Sequence, residues 1–231
     1  MRLTSHPGHD VGLTSDLRIP LADVELAGDL FLTAHPVGLV IFAHGAGSSR
    51  HSARTRYVAE HLHGARFATL LVDLVVPEEH ALDAETAHLQ FDVALLAERL
   101  VGVLDWAIVD RRLRMLPVGC TASNTAGAAA VAAAVRRPAA VRAVVSRGGR
   151  LELAGKSVRS LRAPTLLIVG GADLATVRTN VEAMGKVPGV VQLEVLPRET
   201  RAFDGPGALE QVARLSADWF EEHLTGALQV A

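Results

Sequence analysis

The sequence predicts an α/β protein built on a mostly parallel, doubly wound sheet with helices on both faces. Three observations lead there. Short, continuous apolar runs recur along the chain, helical patterns fill the gaps between them, and no stretch rich in Pro or Gly separates two units. Runs that are apolar on both faces suit parallel strands covered by helices on each side. Strand–helix alternation of this kind implies right-handed crossovers.

Taken in order, residues 1–16, rich in Thr, Ser, His and Gly, are expected to form a flexible lead-in. Leu17 to Thr33 alternates apolar and polar residues around Ala27-Gly28, the pattern of an N-terminal β-hairpin. Apolar runs then predict strands over 38–43, 68–73, 116–120, 141–146, 165–170 and 191–196. Helical patterns run over 53–62, 93–108, 125–135, 177–184 and 207–224. In the last, Leu209, Val212, Ala213, Leu215 and Phe220 recur at helical spacing with charged residues between them. The acidic, mixed segment from Pro77 to Gln90 is expected to cross over the top of the sheet. Residues 17–231 are expected to form a single domain.

Composition narrows the function classes. A chain of 231 residues can bury a full core without metals or disulfides. Lys and Arg number 23 against 25 Asp and Glu, so no single-sign field recruits nucleic acid or an anionic membrane. One cysteine, Cys120, excludes an internal disulfide and fits a reducing compartment. The first residues do not combine a basic stretch, an apolar stretch and a small-residue cleavage site, so secretion is not expected, and the apolar runs are too short to span a bilayer. A cytoplasmic protein is therefore expected, and nothing in the sequence selects an oligomeric state. His61 and His63 lie two apart, do not share a helix face and have no acidic or cysteine partner at ligand spacing, so no metal is assigned. Gly45-Ala46-Gly47 lacks the third glycine and the context of a dinucleotide loop, so no cofactor is assigned either.

The order of four motifs is more informative than any one of them. Phe42-Ala43-His44-Gly45-Ala46-Gly47-Ser48-Ser49 ends the first long apolar run. Val118 to Gly127 joins the third run to an alanine-rich helix. Gly170-Gly171-Ala172-Asp173 follows the fifth, and Pro197 to Phe203 follows the sixth. In this layout, over roughly residues 17–225, the chain resembles the dienelactone-hydrolase-like branch of the α/β-hydrolases. The resemblance implies an α/β-hydrolase fold, an oxyanion loop at His44–Ser49, and a nucleophile elbow G-x-S-x-G with serine at its apex.

Two departures fall on the reaction centre that the resemblance implies. The apex is Asn124, flanked by Ala122 and Ala126, and the histidine position holds Arg201. Asp173 keeps the type of the triad acid. A hydrolytic triad needs a hydroxyl or thiol, a base titrating near neutrality and an acid to orient it. A carboxamide does not attack a carbonyl, and arginine stays protonated. Acyl transfer through this triad is therefore expected to have been given up. The backbone N–H groups of Ala46 and Thr125 would form the oxyanion hole whatever their side chains.

The remaining candidates carry two readings each. Asn124 is either tolerated at a strained turn or directs its amide into the pocket. Arg201 is expected to pair with Asp173, which is compatible with binding a ligand carboxylate or phenolate. His44 would hold the oxyanion loop. Arg50 and His51, just beyond that loop, would rim the pocket, and Glu78 would reach it from the loop after the second long strand, although it and Glu79 read equally as solvated acids. Ser123 either faces the elbow's packing, contacts substrate, or serves as a nucleophile shifted by one residue, which would need a rebuilt turn and a new base. Cys120 reads as a small core hydrophobe. The expected function is non-hydrolytic chemistry (proton transfer, isomerisation, elimination or cyclisation) on a carbonyl-containing or acidic small molecule. The alternatives are a ligand-binding pseudoenzyme and an esterase whose triad has been altered.

Overall fold

The computed structural model describes residues 2–4, 12–86 and 88–226. Nine strands among them form one sheet: β1 (Arg2–Thr4), β2 (Gly12–Pro20), β3 (Glu25–Leu32), β4 (Gly38–His44), β5 (Phe67–Asp73), β6 (Val118–Ser123), β7 (Val141–Arg147), β8 (Thr165–Gly170) and β9 (Val191–Leu196). Their order is β1-β2-β3-β5-β4-β6-β7-β8-β9. Pairing is antiparallel from β1 to β5 and parallel from there to β9. Six α-helices lie among the same residues: α1 (Ala53–Gly64), α2 (Pro77–Thr86), α3 (Val93–Ala107), α4 (Thr125–Arg136), α5 (Leu174–Met184) and α6 (Ala208–Phe220).

The continuous apolar runs are explained by what each face meets. In β4, Leu39 and Ile41 enter one core with Leu100 and Leu104 of α3 and Ala129 and Ala130 of α4. Val40 and Phe42, on the opposite face, enter a second core with Val58 and Leu62 of α1 and Val212 and Phe220 of α6. Successive side chains of a strand point to opposite faces, so a strand buried on both must be apolar throughout.

Several boundaries differ from expectation, each for a local reason. The lead-in is not wholly irregular: Arg2–Thr4 pairs with Gly12–Thr14, while residues 5–11 lie outside the described part. The hairpin turns at Leu21–Val24, where the Leu21 N–H donates to the Val24 carbonyl at 2.8 Å. Ala27-Gly28 instead lies inside β3, opposite Arg18 and Leu17. Pro77 to Thr86 is a helix, with proline in its first turn beside Glu78 and Glu79, where the helix dipole favours acids. Glu79 fixes that helix by accepting from Arg99 at 2.5 and 2.6 Å and from the Val76 N–H at 3.0 Å. β6 starts after Pro117, which has no N–H for the ladder, and runs on to Ser123.

Candidate functional site

From β4 the chain goes to β5 on one side, then returns to β6 on the other. In open α/β sheets, ligands bind at such a reversal, beyond the carboxyl ends of the strands. A cavity of about 720 Å³ lies there, bordered by the loop after β4, the β6–α4 junction and the turn before α6.

Asn124 is the single residue between β6 and α4, and it takes φ 53°, ψ −131°. Non-glycine residues avoid this backbone region, which costs about 1–3 kcal/mol. The turn is tied down on both sides: the Asn124 N–H donates to the Arg147 carbonyl at 3.3 Å, and the Asn124 carbonyl accepts from the Gly127 N–H at 3.1 Å. The side chain is exposed and borders the cavity. An amide thus stands at the apex of a sharp strand-to-helix turn.

Ala46 and Thr125 face the same space. The Thr125 N–H opens α4, so it belongs to the group of helix amides without an intrahelical acceptor. His44, at the end of β4, is 1% exposed, and its Nδ1 lies 3.3 Å from Ser48 Oγ. Burial first, then the Arg147 charge, lowers its pKa from 6.5 to about 4 against a smaller opposing effect of Asp73. At neutral pH it is an uncharged ring, and its buried Nε2 has no hydrogen-bond partner among the described residues.

Arg201 borders the cavity on the turn between β9 and α6. Two glycines let that turn approach. A Cβ on Gly170 would stand 2.3 Å from the Glu199 carbonyl oxygen, and one on Gly148, at φ +58°, would stand 3.1 Å from Arg201 Cβ. The expected ion pair between Arg201 and Asp173 is absent. Asp173 instead caps α5, accepting from Thr176 N–H at 3.1 Å and Thr176 Oγ1 at 2.8 Å. Those bonds hold its carboxyl below its usual range, with a lesser contribution from Arg201.

A second guanidinium, which the sequence reading passed over, faces the same cavity. Arg147 ends β7 opposite Ser123 of β6 and is 7% exposed. No carboxylate pairs with it among the described residues, and its Nε has no hydrogen-bond partner. It lies over the Phe42 ring, whose centroid is 5.7 Å from Cζ. Burial lowers its pKa to about 10, which leaves it charged at neutral pH. The signal available in the sequence was an arginine at the carboxyl end of a central parallel strand.

The other candidates divide. Ser123 and Ser48 border the cavity. Arg50, His51 and Glu78 do not. Arg50 is held by Asp73, at 2.8 Å from its N–H and 2.5 Å from its guanidinium, and by Asp29 at 3.4 Å. His51 is exposed, 3.3 Å from Arg56, and Glu78 is exposed on α2. Cys120 is fully buried in the core, which pushes its thiol up to about 12. No group of three or more His, Cys, Asp or Glu among the described residues is placed to hold a metal. No described helix is long and apolar enough to cross a membrane.

Comparison with known proteins gives relatives of two kinds. The crystal structure of a dienelactone hydrolase from Anabaena variabilis superimposes with a TM-score of 0.89 at 45% identity, covering 92% of this chain and 99% of that one. A dienelactone-hydrolase-like promiscuous phosphotriesterase from metagenomic libraries shares the fold at TM-score 0.73 and 17% identity, covering 92% and 98% of the two chains. Two Mycobacterium tuberculosis proteins, provisionally named phosphoribosyl transferases, are 49% identical over 211 residues. That match covers 91% of this chain and 47% of theirs, so the chain spans about half the length of these curated relatives. No protein-family model matches the chain.

Proposed function

We propose that this chain, which belongs to the dienelactone-hydrolase-like α/β-hydrolases, uses its pocket to hold a small carbonyl-containing acid without forming an acyl-enzyme. The observation that carries this reading is Asn124 at the elbow apex, the position from which a hydrolase directs its nucleophile. Its amide can donate to and accept from a ligand, but its nitrogen lone pair is delocalised into the carbonyl, so it does not attack a carbonyl carbon. Arg201, across the cavity, supplies a fixed cation where a base would be needed. The amides of Ala46 and Thr125 would polarise the ligand carbonyl.

Binding without turnover is favoured by the chemistry of the walls. The described residues bordering the cavity include no His, Asp, Glu, Cys or Lys, so none titrates near neutrality. His44 lies behind them, uncharged. A second reading, non-hydrolytic conversion such as isomerisation or elimination, draws on the same oxyanion-hole amides, which suit a developing enolate. It requires a proton carrier from the substrate or solvent.

The transferase name of the M. tuberculosis relatives is assigned, in this proposal, to the half of those proteins that the chain does not span. A cytoplasmic setting belongs to the same reading, since the one cysteine is free and buried.

A fluorophosphonate probe followed by intact-mass measurement tests the loss of acyl chemistry. The expected result is no adduct on the native protein. An adduct on Ser123 or Ser48 would restore a hydrolytic reading.

A further inference from the structure

The cavity carries more positive charge than any hydrolytic duty explains. Three guanidinium groups border it, from Arg54, Arg147 and Arg201, and no carboxylate does so among the described residues. Arg54 is neutralised by an ion pair with Asp204. Arg201 has no ion-pair partner among the described residues, and Asp173 is committed to α5. Arg147 is buried, and no carboxylate among the described residues pairs with it. A guanidinium removed from water normally pairs with a carboxylate, since the desolvation cost of a lone buried charge is large. Here only an aromatic face and the cavity are on offer.

We propose that Arg147 and Arg201, with the first amides of α4, form a receptor for a phosphate dianion, so that the acidic group of the small ligand in this pocket is a phosphate monoester. The inference rests on the reading that the pocket binds rather than hydrolyses, and names the chemical class it binds. Charge favours phosphate over a single carboxylate, and two further features suit an oxyanion of either kind. Two unpaired cations match a charge near −2, which a phosphate monoester carries at neutral pH. A helix N-terminus with free amides suits a tetrahedral oxyanion. Guanidinium groups bind phosphate oxygens through paired N–H donors. The organic part of the ligand would rest on Leu96, Phe203 and Leu209 on the apolar side of the same cavity.

The pieces are held in register by backbone. Asn124 N–H bonds to the Arg147 carbonyl, and Gly148, next in sequence, packs on Arg201 Cβ. The elbow and the backbone positions that carry both cations therefore border one space.

The test is calorimetric titration with phenyl phosphate, inorganic phosphate and benzoate at constant ionic strength. Phenyl phosphate is expected to bind saturably and at least tenfold more tightly than benzoate. Arg147→Met should weaken phenyl phosphate at least tenfold, Arg147→Lys should recover part of that loss, and the exposed Arg178→Gln should change nothing. Circular dichroism establishes that each variant is folded, and the lysine variant carries the comparison should the methionine variant fail. The inference is overturned by the absence of saturable phosphate binding, by benzoate binding equally well, or by folded Arg147 variants that bind like the parent. Fluorophosphonate labelling is read separately: an adduct would remove the non-hydrolytic reading and leave phosphate binding standing, whereas failed titrations without an adduct would remove the phosphate site alone.

Discussion

The backbone N–H of Asn124 stands 3.3 Å from the carbonyl oxygen of Arg147, joining the elbow apex to a buried cation at the ends of neighbouring parallel strands. The pairing of Ser123 with Arg147 in the sheet makes that bond a consequence of register rather than of side-chain chemistry. An apex residue can therefore change identity while the geometry around it persists.

The strain at Asn124 is directly measurable. At φ 53°, ψ −131° a glycine relaxes what an asparagine endures. Asn124→Gly is expected to stabilise the fold by about 1 kcal/mol, net of the extra chain entropy of glycine, and to raise Tm by roughly 2–4 °C. A fall in Tm would mean that the asparagine side chain contributes more to stability than its backbone costs.

Arg147 poses the same question for charge. Replacing it with Met removes a buried guanidinium that has no carboxylate partner among the described residues. The variant should be more stable by about 1 kcal/mol, as expected where a site is kept at the expense of the fold. Chemical denaturation curves of the two proteins decide this, and a destabilised variant would show that Arg147 serves packing against Phe42.

Acid should weaken the fold through His44. Its ring has a pKa of about 4 when folded against 6.5 as the ordinary value, so the unfolded chain binds the extra proton first. Stability is then intact above about 6.5 and falls as pH drops towards 4. Asp173, held below its ordinary 3.8, loses its contribution only at still lower pH. Thermal melts across pH 7.5 to 4.5 should fall more steeply for the parent than for His44→Asn. Parallel curves would exclude His44 as the titrating group.

Much of this architecture was legible in the sequence, and the exceptions have physical causes. β4, β8 and β9 stand out because burial on both faces, or pairing at one edge of a long ladder, leaves continuous apolar or alternating runs. The helix Pro77–Thr86 does not, because its apolar periodicity is weak; only Pro77 with Glu78 and Glu79 marks its start. The positions of Asn124 and Arg201 follow from motif order. The site's buried cation did not: in Val145-Ser146-Arg147-Gly148 an arginine reads as a solvated strand end, and only the sheet register and the Phe42 contact bring it inside. The Arg201–Asp173 pair failed for a converse reason, since a helix N-terminus competes for the same carboxylate.

Cys120 should behave as a hydrocarbon. Fully buried, with its thiol pushed up to about 12, it presents no thiolate to reagents. A maleimide should leave the native protein unmodified and label it once the chain is unfolded in denaturant. Rapid labelling of the native state would place that strand nearer solvent than it lies here.

The central claim is that an amide and a permanent cation replace a nucleophile and its base on a retained framework. Hydrolysis of p-nitrophenyl acetate by Asn124→Ser, Arg201→His and the double variant tests it most directly. Because nucleophile and base act as a unit, the double variant should release p-nitrophenol at least roughly tenfold faster than the parent or either single variant. A folded double variant no faster than the parent, or a parent that already turns over the ester, would contradict it.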